Sequence, residues 1–232
     1  YAQSTVGIGK KLRSARLARD LSLRELAERA EVSASLLSKI ENGKATPSVR
    51  SLHSIAEALS LPVNHFFPEE RPGESDPRSR SPAGQPSEVA IAADKENKGL
   101  ETAGAAAPLS ETELEFEDFD HRPPGPVVRR GARPTIELEG HITWQRLTSK
   151  AESGIEFLQT CYATNAKSGE KMSHHSGREF HYVLEGELLL ELGFERYLLK
   201  AGDSIIFDST TPHRLSNAGS VPMRALSVIY GK

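Results

Sequence analysis

A single cysteine, Cys161, stands in this chain of 232 residues. One thiol excludes an internal disulfide framework and fits a reducing cytosol, so the expected location is cytoplasmic. No apolar run approaches the ~20 residues that cross a bilayer, and no signal peptide is visible, so no membrane partner is expected. Aromatic residues make up only 6% of the chain, and Pro68 to Glu115 contains none. That stretch, with RPGESDPRSRSPAGQP and ETAGAAAPLS, cannot bury enough apolar surface to offset the entropy of ordering. A flexible linker is therefore expected over 69–126, with an acidic segment at 110–120 carrying six acids in eleven residues. Strong charge of either sign is also lacking, since the net charge is −3. Its distribution is uneven: residues 1–68 hold ten Lys/Arg against six Asp/Glu, net +4, which leaves −7 for the remainder. A modestly basic head suits a compact polyanion site rather than general coating.

What is present begins with a helical head over 1–68. Ile8 to Asp20 reads as a first helix, with Lys10, Lys11, Arg13, Arg16 and Arg19 on its outside. Ser22 and Glu25 have capping-box spacing, and Leu23, Leu26, Ala27 and Ala30 repeat at helical period. After the turn Ala30-Glu31-Val32, Ser33 is a suitable N-cap for a helix over Ala34 to Asn42, stopped by Gly43. Leu36, Leu37 and Ile40 form its apolar face, while Ser35, Ser38 and Lys39 fall opposite. Thr46 as N-cap, with Pro47 at the first helical position, opens another helix, and Pro62 to Phe67 reads as a short fifth one.

The motifs LRELA, VSASLLSKIENG, PS and the closing FF, spread over Ile8 to Phe67, resemble the Cro- and phage-repressor-like helix-turn-helix family, also called the xenobiotic-response-element family. One departure is Leu23, where the family often carries a DNA-contacting Gln. The likeness implies that the second helix of the pair enters a DNA major groove. Ser33, Ala34, Ser35, Ser38, Lys39 and Asn42 are the expected DNA-binding residues on or beside it. Lys44 and the backbone near Ser48 are the expected phosphate contacts.

Residues 127–232 carry nine short strand-like runs between Gly, Pro, Asn or Asp, from PTIELEG to RALSVIYG, with no helical period. Many strands at close spacing mean a sandwich or small barrel. Two clusters carry the chemistry: Gly169 to Gly186, and Gly202-Asp203 with Thr211 to Asn217. Glu179 lies seven residues before Gly186, and His213 four before Asn217. With YVLEGE and AGDSIIFDSTTPH, these resemble the two motifs of the cupin family. That likeness implies an all-β double-stranded jelly-roll barrel. Cupins often hold a metal with two His and a Glu from the first motif and a His from the second. Here Ser173 stands at the first His position. His175, Glu179 and His213 remain as a three-ligand facial set suited to one divalent metal, Fe, Mn or Zn. The alternative is a barrel without metal, in which these groups and Arg178 hold a small polar metabolite directly. His181, two residues past Glu179, points to the same face and is expected to ligate or to line the pocket. His174 points away. Cys161, Trp144 and Tyr162 read as packing residues.

The expected fold is therefore multidomain: an all-α head of about five helices, a flexible linker and an all-β cupin barrel. Head plus barrel resembles bacterial transcription regulators whose barrel senses a small molecule. The expected partners are a palindromic double-stranded DNA operator, a small-molecule effector, and a second copy in a homodimer or higher homo-oligomer. No catalytic residue is expected. The rival is a mononuclear non-heme iron cupin oxygenase, because the same domain order resembles an iron epoxidase acting on a hydroxyalkyl phosphonate, with His175, Glu179 and His213 as ligands.

Overall fold

Four helices and a closing 3-10 turn build the head in the computed structural model, which describes residues 2–68 and 126–231, with side chains from residue 7 onward. Of the linker expected over 69–126, residues 69–125, with the acidic segment 110–120, lie outside the described residues. Helix α1 spans Ala2–Leu17, α2 Leu23–Arg29, α3 Ala34–Glu41 and α4 Val49–Ala58, and the turn covers Val63–Phe66. The capping box of α2 forms in full: the Glu25 N–H donates to Ser22 Oγ at 3.2 Å, and the Ser22 N–H to Glu25 Oε2 at 2.7 Å. The Ser33 hydroxyl caps α3 by accepting from the Leu36 N–H at 3.1 Å. One cap differs from expectation. Ser48, not Thr46, caps α4, taking the Ser51 N–H at 3.2 Å, so Pro47 stays outside the helix. Both residues can cap, but only Ser48 stands three positions before an N–H directed at it.

Leu26, Leu37, Ile40, Leu52, Ile55, Leu59 and Phe66 are fully buried and form the head's core. Each contributes about 1.5–3 kcal/mol relative to exposure. Arg16 is not on the outside of α1 as expected. It is buried, with Nε 2.7 Å and Nη2 2.9 Å from the two Glu41 carboxylate oxygens, while Nη1 donates to the Leu21 carbonyl. This bidentate pair ties α1 to the end of α3.

The nine strand-like runs become nine strands, all antiparallel. A six-stranded sheet has the order β1(Thr135–Leu138), β2(Ile142–Arg146), β3(Ile155–Tyr162), β9(Met223–Tyr230), β4(Arg178–Glu185), β7(Ser204–Asp208). A three-stranded sheet has the order β6(Glu195–Lys200), β5(Glu187–Leu192), β8(His213–Asn217). Alternation directs Leu158, Val183, Leu188, Leu190, Ala225 and Ile229 inward. The turn into β4 requires Gly177: its φ is +103°, and a Cβ there would lie 2.6 Å from the Tyr230 carbonyl oxygen.

Head and barrel pack directly on one another within one compact unit. Residues that precede the linker dock on strands that follow it. The Val63 N–H donates to Glu156 Oε1 at 3.1 Å, and Asn64 Nδ2 to the Ile155 carbonyl at 3.1 Å. The Glu139 N–H donates to the Pro47 carbonyl at 2.9 Å, and the Arg50 N–H to the Ser168 carbonyl at 3.0 Å. The Arg146 guanidinium lies over the Phe67 ring, 5.8 Å from its centroid. These contacts couple the two folds directly.

Candidate functional site

Two groups of predicted residues meet different surroundings. On the head, Ser33, Ser35, Lys39, Asn42 and Lys44 are exposed, while Ala34, Ser38 and Ser48 are half-buried. The Ser33 and Ser48 hydroxyl oxygens each accept a capping N–H, from Leu36 and Ser51, which fixes the two side chains and leaves the O–H as a donor. Asn42 Nδ2 donates to the Ser38 carbonyl at 2.7 Å, which holds its amide over the last turn of α3. The exposed polar face of α3 stands clear of the protein's own core, since Leu37 and Ile40 take the opposite side.

In the barrel, His175, Glu179 and His213 converge from three places. Glu179 sits on the inner face of β4, His213 begins β8 in the other sheet, and His175 lies on the loop between Ser173 and Gly177. That loop is fixed by backbone. Ser173 and His213 exchange two N–H to carbonyl bonds at 2.8 Å, and the His175 N–H donates to the Ser209 carbonyl at 2.9 Å. The ligating atoms of the three residues lie within 4.8 Å of one another, and all three residues are buried.

Hydrogen bonds set the chemistry of this cluster. His175 Nδ1 lies 3.1 Å from the Ser176 carbonyl and His213 Nδ1 lies 2.9 Å from the Thr211 carbonyl. A carbonyl only accepts, so each Nδ1 carries the proton. In the neutral rings both Nε2 lone pairs then face Glu179 Oε1, at 3.0 Å and 3.1 Å. Three lone-pair atoms cannot share a buried space without positive charge between them, which means a ring proton or a cation. Burial pushes the Glu179 carboxyl up, but its contacts with His175, His181 and His213 more than offset this and hold it well below the usual range. Burial lowers His213, and the Glu179 carboxylate overrides that to raise it. Two imidazoles with fixed tautomers and one ionised carboxylate fit a divalent metal. The Ser173 hydroxyl, 3.4 Å from His213 Nε2, stands beside the set without completing it.

His181 supports the carboxylate from behind. Its Nε2 lies 2.9 Å from Glu179 Oε2, and its Nδ1 lies 2.9 Å from Ser227 Oγ, which contacts Thr160 Oγ1 at 3.2 Å. The Ser227 O–H donates to Nδ1 and the Nε2–H donates to Oε2, so no His181 lone pair is left for an ion. It lines the cavity rather than ligating. Arg178 corrects another expectation. It is exposed on the outer face of β4, because neighbours along a strand point to opposite sides and Glu179 points in. His174 is exposed as expected. Cys161 is half-buried on the outer side of β3 rather than in the core, and burial raises its thiol.

The cavity is small, about 20 Å³, little more than one water needs. Trp144 and Tyr162 line it, a role beyond plain packing. So do Val49 and His53, from α4 of the head. The His53 ring stacks on His175 with centroids 4.4 Å apart and planes 2° apart, and meets Trp144 edge-on at 5.5 Å. Sequence reasoning missed His53. The available signal was its place four residues after Val49 and three before Ala56, on the buried stripe of α4.

Residues 12–66 match the helix-turn-helix family, and residues 159–229 match the cupin domain family. An uncharacterized protein of Methanocaldococcus jannaschii, MJ1618, is 31% identical over 101 residues, 42% of this chain and 79% of that protein. The chain belongs to the helix-turn-helix regulators that carry a C-terminal cupin domain. The HTH-type transcriptional regulator PuuR of Escherichia coli is similar along nearly its whole length, 23% identical over 94% of this chain and 92% of that one. A crystal structure of an HTH_3 family transcriptional regulator from Vibrio cholerae shares the fold, with a TM-score of 0.59 at 20% identity, covering 100% of this chain and 98% of that one. Among the described residues no helix of this regulator is long and apolar enough to cross a membrane.

Proposed function

We propose that this protein is a sequence-specific, cytoplasmic DNA-binding transcription regulator whose barrel senses a metal ion, a small polar metabolite, or both. The observation that carries this reading is the exposed polar face of α3, with Ser35, Lys39 and Asn42 outward over a packed Leu37–Ile40 face. Such a helix suits base edges in a major groove. Lys44 and the first turn of α4 follow it and suit the flanking phosphates. A homodimer on a palindromic operator follows from the twofold logic of half-sites about one DNA turn apart.

In the barrel, His175, Glu179 and His213 would hold one divalent ion. The ion would supply a positive centre that polarises and orients an oxygen or nitrogen donor of an effector. His181 and Ser227 fix the carboxylate that faces it. A ligand shifts DNA affinity only by its differential affinity for two states of the protein, typically ~1–3 kcal/mol.

The iron oxygenase reading uses the same three ligands but leaves the exposed α3 face without a role. One experiment separates the two. Duplexes are selected from a random library on the purified protein, and binding is titrated against salt, alongside metal analysis and oxygen uptake. A steep salt dependence on a selected palindrome supports the regulator. Stoichiometric iron with oxygen consumption and no duplex enriched over the starting library would overturn it.

A further inference from the structure

The barrel grips α4 at the end where the proposed function needs DNA phosphate. Ser51 N–H of the first turn is taken by Ser48 Oγ at 3.2 Å. The Arg50 N–H is taken by a barrel group, the Ser168 carbonyl at 3.0 Å, and Arg50 Nε reaches the Met172 carbonyl at 3.3 Å. One residue before the cap, the Pro47 carbonyl accepts from the barrel's Glu139 N–H. A peptide oxygen with its partial negative charge thus occupies a helix N-terminus of the kind that binds phosphate. The fit is close: a Cβ added at Gly169 would lie 3.1 Å from Arg50 Cβ. The same helix completes the sensor cavity, through Val49 and the His53 ring stacked on His175.

We propose that the docked arrangement is an autoinhibited state, in which the barrel withholds the α4 N-terminus from the DNA backbone while α4 closes the barrel's cavity. This rests on the DNA-binding reading above and assigns its regulation. α3 stays exposed in the docked state, so docking weakens DNA binding rather than abolishing it. Full affinity requires the head to leave the barrel, which also opens the cavity wall. A cavity of one-water size accepts an ion with the head in place. A larger effector that coordinates the same ion has room only once α4 moves, so effector entry and release of the head are one event.

The test locks and wedges the contact in the full-length chain. Arg50→Cys with Gly169→Cys, in a Cys161→Ser background, places two sulfurs across the interface where the Cβ atoms approach within a few tenths of an ångström of disulfide range. Duplex DNA is first selected on the reduced protein. Oxidation should then weaken binding to that duplex at least tenfold, and dithiothreitol should restore it. In the opposite direction, Gly169→Leu should pry α4 off and bind DNA at least threefold more tightly than wild type. A generally damaged protein would weaken in both variants. Equal affinity of oxidised and reduced forms, or weaker binding by Gly169→Leu, would overturn autoinhibition. If the reduced protein selects no DNA, the regulator reading itself fails, and this inference with it.

Discussion

Gly9 in α1 sets two rules of helix stability against each other. By helix propensity, alanine in a helix interior is better than glycine by ~1 kcal/mol. By packing, Gly9 is where α1 crosses the end of α3: an added Cβ would lie 2.3 Å from the Ile40 carbonyl oxygen and 3.0 Å from that of Glu41. Both obstacles are backbone, so no side-chain rotation relieves them, and the helices must separate by most of an ångström. Overpacking of this kind costs about 1–3 kcal/mol. The Arg16–Glu41 pair lies on the same crossing and would stretch with it. A cost near the top of that range, less the propensity gain, leaves Gly9→Ala less stable by about 2 kcal/mol. For a folded unit of this size that corresponds to a fall in Tm of ~4–8 °C. Gly7, two residues earlier in the same helix, has nothing within 4 Å of an added Cβ. Gly7→Ala should therefore gain up to ~1 kcal/mol and serves as the internal control. Thermal melts followed by circular dichroism, with urea titrations beside them, read both variants. DNA affinity should fall for Gly9→Ala alone, because the displaced element carries Lys39. A Gly9→Ala protein as stable as Gly7→Ala would refute the claim that α1 and α3 meet backbone to backbone.

Further outcomes are expected. Lys39→Ala should weaken operator binding and, if the ammonium meets a phosphate, reduce the slope of log affinity against log salt by about one; unchanged affinity in filter binding would remove Lys39 from the interface. Ser33→Ala should cost about 1 kcal/mol of stability through the lost α3 cap, and calorimetry with no change would show that the cap bond contributes nothing. Glu156→Ala strands the buried Val63 N–H at a cost of about 1–3 kcal/mol, so amide exchange should rise across residues 62–67; protection equal to wild type would count against this latch. With metal stripped by chelator, Glu179 supports the fold above its unfolded value near 4.5 and loses that support as pH falls through its depressed folded value. His213 supports it fully below 6.5, and that support is lost as pH rises through its raised folded value. Apo stability in urea should therefore peak between pH 4.5 and 6.5, and added Zn(II) should move the optimum upward, because the metal takes neutral imidazole; a flat apo profile would contradict the cluster's charge assignment.

Much of the fold was legible because it rests on short-range signals. Ser22 and Glu25 form their capping box from three-residue spacing, and nine strand-like runs became nine strands because turn residues punctuate a period of two. Where two local signals competed, the outcome needed coordinates: Thr46 and Ser48 are both competent caps, and geometry chose Ser48. For Arg178 a local rule suffices, since the alternation that turns Glu179 inward turns its neighbour out. Arg16 was different. Nothing near it in the chain distinguishes a surface cation from one buried against Glu41, 25 residues away.

By itself, the sequence determined which segments are helix and which are strand and which face of α3 is polar, because each depends on spacings of a few residues; the trio His175, Glu179 and His213 was implied by the resemblance to cupins. Only tertiary structure decided that the Nε2 atoms of His175 and His213 meet one oxygen of Glu179, that His181 stands behind the carboxylate, and that His53 of the head closes the cavity. Those contacts join elements far apart in sequence, His53 to His175 across more than a hundred residues. Their register is set by how two separately patterned cores dock, and no local propensity encodes that.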